Sequence, residues 1–180
     1  MNPRILCAGI GNIFFSDDGF GVEVANRLSR LPVPDCVRVE DYGIRGVHLA
    51  YELCNGYDAL VLIDAMPMGD EPPGTVVILE PDAPPSSADD DEIAPIMDAH
   101  TMSPLVVLTT LANLGGSVDR ILVVGCQPAT IEEGMGLSEP VSAAVDRAVE
   151  MVSDLLTELV GDLLTDACQP AGTGRETRRT

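Results

Sequence analysis

"RILCAGIGNIFFSDDGFGVEVANRL" (residues 4–28) moves within one stretch from an apolar run to a glycine-punctuated loop and then to a periodic segment. The apolar run Arg4–Ile10, ending among glycines, predicts a buried strand. Phe20, Val24, Leu28 and Leu31 recur at helical spacing, with Asp17 and Asp18 just ahead as cap and dipole partners, which predicts a helix beginning near Gly19. A strand that turns at glycine into a helix is the opening unit of an α/β fold, and the remaining chain is read against that expectation.

The pattern repeats downstream. "CVRVEDYG" predicts a strand over 36–41, and "GVHLAYEL" a short helix behind it. "DALVLIDAM" (58–66) is continuously apolar, as a central strand covered on both faces would be. "GTVVILE" (74–80) predicts a fourth strand after a proline- and glycine-rich loop. Residues 81–92, "PDAPPSSADDDE", carry no hydrophobic pattern and predict a mobile surface loop. "SPLVVLTTLANLGG" (103–116) predicts a helix, "DRILVVGC" (119–126) a fifth strand, and 138–164 the longest helix, with Ser138 as its cap and Pro140 in its first turn. The expected fold is α/β: one domain over residues 1–164, a three-layer αβα sandwich on a mostly parallel, twisted five-stranded sheet. Residues 165–180 read as a disordered tail.

Composition narrows the partners. The 180 residues are 46% hydrophobic and carry ten basic against twenty-nine acidic side chains, a formal net charge of −19. That balance argues against nucleic acid or an anionic membrane surface and suits a basic or metal-bearing partner, or simply a solubilising surface. Cys7, Cys36, Cys54, Cys126 and Cys168 are scattered without a Cys-x-x-Cys pair, which reads as buried free thiols in a reducing compartment. With no leader-like segment and no run near the ~20 apolar residues that span a bilayer, the expectation is a cytoplasmic chain.

Gly9 and Gly11 invite a dinucleotide reading, but the position of the third small residue is Phe14, and Asp17 and Asp18 would repel phosphates. No Gly-Lys-Ser/Thr ending exists for a P-loop. Two acids at a strand-loop suit a cation better. Asp64 closes the apolar strand "LVLIDAM", where a carboxylate loses hydration and needs partners to stay charged. If the first strand lies between the second and third, the loops bearing Asp18 and Asp64 open on one crevice. For Asp17, a cap or first-turn role is the simpler reading. His100, in "DAHTMSP", precedes a helix whose backbone N–H groups favour a neutral, metal-binding imidazole. His48 sits amid apolar residues and reads as a core or half-buried helix position. In "DYGIRG", Gly43 and Gly46 would permit a tight turn, with Arg45 either pairing with a carboxylate or substrate, or simply exposed. Two carboxylates and one imidazole would leave positions open on nickel, zinc or cobalt, and the pattern does not choose among them. Neither a His-Glu-x-x-His helix nor a Gly-x-Ser-x-Gly elbow occurs.

"GIGNIFFSDDGFGVEVANRL", "DYGIRG", "LVLIDAMPMGDEPPGTV", "DAHTMSP" and "VVGCQPATIEEGMGLSEPV", in this order, resemble the maturation endopeptidases of nickel-iron hydrogenases, from about Arg4 to about Val160. The resemblance implies removal of a C-terminal extension from the hydrogenase large-subunit precursor once nickel has been inserted. It assigns metal contact and catalysis to Asp18, Asp64 and His100, with nickel carried by the substrate rather than held permanently, and it favours a monomer. Where the family often carries glutamate, this chain has Asp18, one methylene shorter. A nickel metallochaperone using the same ligands and, more remotely, a nucleotide-binding oxidoreductase domain are the rival readings.

Overall fold

The computed structural model describes residues 3–80 and 104–166. The strands are β1 (Ile5–Ile10), β2 (Val37–Gly43), β3 (Ala59–Ala65), β4 (Val76–Leu79) and β5 (Arg120–Cys126); the helices are α1 (Phe20–Leu28), α2 (Gly46–Leu53), α3 (Pro104–Asn113) and α4 (Glu139–Asp166). They form one five-stranded sheet of order β2-β1-β3-β5-β4, parallel except for the antiparallel edge strand β4. The expected αβα sandwich is observed, and β1 lies between β2 and β3 as anticipated. The loop at 81–92, His100, the predicted helix start at Ser103 and the tail beyond Asp166 lie outside the described residues.

Strand alternation sorts the core into two halves. Ile5, Cys7, Val61, Ile63 and Val124 meet Phe20, Val24 and Leu28 of α1 and the long apolar stripe of α4. Leu6, Ala8, Ile10, Leu60 and Leu62 meet Leu49 and Leu53 of α2 and Val107 and Leu111 of α3. β1 and β3 are buried along their whole length because both faces are covered, which is why neither shows polar alternation in sequence.

The glycines of the opening stretch serve contact as well as turning. A Cβ on Gly9 would strike the Gly21 carbonyl oxygen, and one on Gly21 would strike the carbonyl oxygens of Ile63 and Ile10. α1 therefore crosses the ends of β1 and β3 at backbone distance. Gly21→Ala has no side chain to push aside, so it should lower stability by about 2 kcal/mol, checked by urea denaturation.

Some details differ from expectation. His48 is exposed, because the buried stripe of the short α2 falls on Leu49, Ala50 and Leu53. Cys7 and Cys126 are buried, but Cys36 is half-buried and Cys54, at the end of α2, is exposed. Among the described residues, no helix is long and apolar enough to cross a membrane.

Candidate functional site

In an open sheet of this kind, ligands bind beyond the carboxyl ends of the strands, at the point where strand order reverses. Here that point lies between β1 and β3. Asp18 follows β1 and Asp64 is the penultimate residue of β3, so the topology brings two of the predicted acids to the same edge.

Gly11 starts the approach to Asp18. It has φ +124°, and a Cβ there would run into the Asp18 carbonyl oxygen, so the chain folds back tightly on itself. Through this return the Asn12 N–H donates to Asp18 Oδ2 at 2.6 Å, aiming the carboxylate from a residue six positions earlier. The Asn12 N–H thus serves a carboxylate of the chain itself rather than standing free for a phosphate.

Both acids are almost fully buried, each 4% exposed. Burial holds the Asp18 carboxyl above its ordinary pKa, against the opposing Asn12 N–H. Asp64 is held well above the carboxylate range, first by burial and next by the negative charge of Asp18, with the Ala65 N–H working the other way. Among the described residues, its Oδ1 is buried without a hydrogen-bond partner. Two buried carboxylates, one raising the proton affinity of the other, make an arrangement that a cation or a shared proton would relieve.

The third predicted member, His100, lies outside the described residues. Among the described residues, no group of three or more His, Cys, Asp or Glu side chains is positioned to hold a metal ion. The acid pair alone is what the described structure brings together.

Asp17 does something the sequence reading missed. It is fully buried; it does lie in the first turn of a short 3-10 helix, Ser16–Gly19, but its side chain caps neither that turn nor α1. Its Oδ2 instead accepts from the N–H groups of Ala129 (2.8 Å) and Thr130 (3.1 Å) and from the Ser138 hydroxyl (2.8 Å), while Oδ1 accepts from the Ser138 N–H (2.6 Å). Burial pushes its pKa up, but these bonds outweigh it, and the carboxyl ends below its ordinary value. Ser138 does precede α4, but its hydroxyl donates to Asp17 rather than serving as a simple cap. Asp17 thus latches the β5–α4 loop to the loop that carries Asp18.

Two further residues border the site. Asp41, near the end of β2, accepts from Asn26 Nδ2 at 3.4 Å, while its buried Oδ1 finds no partner among the described residues. Arg45 pairs with no carboxylate among the described residues; it donates to the backbone oxygens of Tyr42 and Asp41, closing the end of β2. Cys126 ends β5 at this same edge, but burial and the nearby Asp17 charge push its thiol up to about 11, so it is no thiolate nucleophile at neutral pH.

A family model described as hydrogenase maturation protease matches residues 22–155. The chain belongs to the hydrogenase maturation protease family. The hydrogenase 2 maturation protease of Escherichia coli is 32% identical over 155 residues, covering 83% of this chain and 88% of that protein. The hydrogenase expression/formation protein HupD of Rhizobium leguminosarum is 34% identical over 150 residues, covering 82% and 71%. The solved hydrogenase maturating endopeptidase HybD from E. coli superposes with a TM-score of 0.68 at 31% identity, covering 86% of this chain and 93% of that one. As a member of the maturation protease family, the chain is a peptidase, and its fold is that of the family's solved endopeptidases.

Proposed function

We propose that this chain removes the C-terminal extension of a nickel-iron hydrogenase large-subunit precursor after nickel insertion, and that Asp18, Asp64 and His100 read the nickel carried by that substrate. The observation that carries the reading is the buried Asp18–Asp64 pair, with an Asp64 Oδ1 that finds no partner among the described residues. An uncompensated pair of this kind costs stability and is retained where a ligand satisfies it. Two carboxylates and an imidazole suit a borderline divalent ion such as nickel, and they leave positions open for the substrate's own groups.

The nickel, as cargo, would mark a loaded precursor and fix the scissile segment in the crevice, and it could polarise a carbonyl or a water. The chain's own residues supply the rest. Asp18, aimed by the Asn12 N–H, presents one carboxylate edge to the crevice. Asp64, its proton affinity raised by burial and by the neighbouring Asp18 charge, is biased towards the protonated form from which a carboxyl can act as a general acid. The chemistry is therefore of the aspartyl type, assisted or gated by the metal. Free thiols at Cys7, Cys36, Cys54 and Cys126 support a cytoplasmic setting, and the chain is read as acting as a monomer.

Incubating the purified chain with nickel-loaded precursor should shorten the precursor, while a folded His100→Ala variant should leave it whole. Normal trimming by that variant would remove His100 from the site. Tight binding of the precursor by the wild type without any shortening would favour a nickel carrier instead.

A further inference from the structure

The segment just before Asp18 exposes three apolar side chains in a row, Ile13, Phe14 and Phe15, with Phe14 59% exposed. Across from them, the β5–α4 loop exposes Ile131 and Met135, the latter 77% exposed. These are one surface. Phe15 and Gly134 form a parallel bridge. The Gly134 N–H donates to the Phe14 carbonyl at 2.9 Å, the Ser16 N–H to the Gly134 carbonyl at 2.9 Å, and the Asp17 N–H to the Thr130 carbonyl at 3.2 Å. Ser16, in the left-handed region at φ 49°, donates its hydroxyl to the Glu132 carbonyl. Asp17 then clamps the far side of the same loop. A chain that spends a buried carboxylate and a strained serine to fix two loops together, and then leaves their apolar side chains in water, is holding a preformed contact surface.

The surface adjoins the acid pair in the chain. Phe15 precedes Asp18 by three residues, at most about 11 Å of extended chain, so a segment seated on the patch would lie close to the acids. Its charge is one-sided. Glu132 and Glu133 stand exposed between Ile131 and Met135, and neither 9–26 nor 121–146 contains an arginine or lysine.

Resting on the function proposed above, we infer that the ridge formed by Ile13, Phe14, Phe15, Ile131 and Met135 is the docking surface for the protein substrate, and that it takes an apolar segment of the precursor flanked by basic residues. The ridge supplies affinity through buried aromatic and thioether area, and Glu132 and Glu133 supply orientation and encounter rate.

Phe14→Ser and, separately, Met135→Ser test this through steady-state trimming of nickel-loaded precursor. Both positions are solvent-exposed, so the melting temperature should stay at the wild-type value. Each variant should raise KM roughly tenfold to a hundredfold, as expected for losing one large buried side chain at the contact, with kcat retained. An unchanged KM in both variants would overturn the inference, as would a fall in kcat at constant KM. A wild-type dimer that dissociates in either variant while KM holds would also overturn it, by seating a second copy of the chain on the ridge. Should the wild type not trim the precursor at all, the proposed function falls first, and the ridge is judged on precursor binding alone. A Kd about tenfold weaker in both variants then sustains the surface, and an equal Kd removes it.

Discussion

Asp64→Asn is expected to abolish trimming of nickel-loaded precursor, by about a thousandfold or more, while making the chain more stable. The two effects share one cause. Asp64 is buried beside Asp18, and burial and that neighbouring charge both raise its proton affinity. The folded state therefore holds a proton that the unfolded state would release. Stability falls as pH rises from the ordinary carboxyl range up through the raised value, because over that interval the native state binds more protons than the unfolded one. An asparagine of the same shape has no charge to bury and still offers an oxygen to the Ala65 N–H. A gain of about 1 kcal/mol, or roughly 2–4 °C in melting temperature, should appear at neutral pH and vanish in acid. Calorimetry at two pH values checks the stability half, and a precursor-trimming assay the other. A folded Asp64→Asn variant that trims normally would show that the buried acid is not part of the machinery.

Asp17→Asn should act in the opposite sense. Four donors converge on two carboxylate oxygens, so an amide must turn its NH2 towards donors whichever way it is flipped. Hydrogen bonds to a buried charge are worth about 1.5–3 kcal/mol each, and leaving donors unmatched adds to the loss, so about 3–4 kcal/mol is expected. The pH dependence follows from the lowered pKa. The latch is at full strength above the ordinary aspartate pKa and weakens as pH falls through the depressed folded value. Denaturation of wild type and variant should therefore converge in strong acid and diverge towards neutrality. Because Asp17 fastens the β5–α4 loop rather than touching substrate, the variant should also raise KM more than it lowers kcat.

The contrast between these neighbouring aspartates shows where the sequence was informative. β1, β3 and β5 are legible as unbroken apolar runs because both sheet faces are covered, and α1 and α4 because their apolar stripes follow helical spacing. The convergence of Asp18 and Asp64 follows from strand order alone, once β1 is placed between β2 and β3. The role of Asp17 was not legible, since its partners lie 112 to 121 residues further along, and a local reading can only offer it the helix next door. Asp41 was overlooked for another reason. It lies in a strand that alternates polar and apolar residues, so its place near the carboxyl end, paired with Gly9, gave no contrast of the kind that exposed Asp64. His48 was misplaced because a phase shift of a single residue decides burial in a helix of eight residues.

The claim at the centre of this account is that the buried acid pair, together with His100, licenses cleavage by reading a metal on the substrate. Its most direct test is the mass of the large-subunit precursor, nickel-loaded and nickel-free, after incubation with the purified chain. The loaded precursor should lose its C-terminal extension while the nickel-free precursor keeps its full mass. Equal trimming of both forms, or a loaded precursor that stays bound and intact, would contradict it.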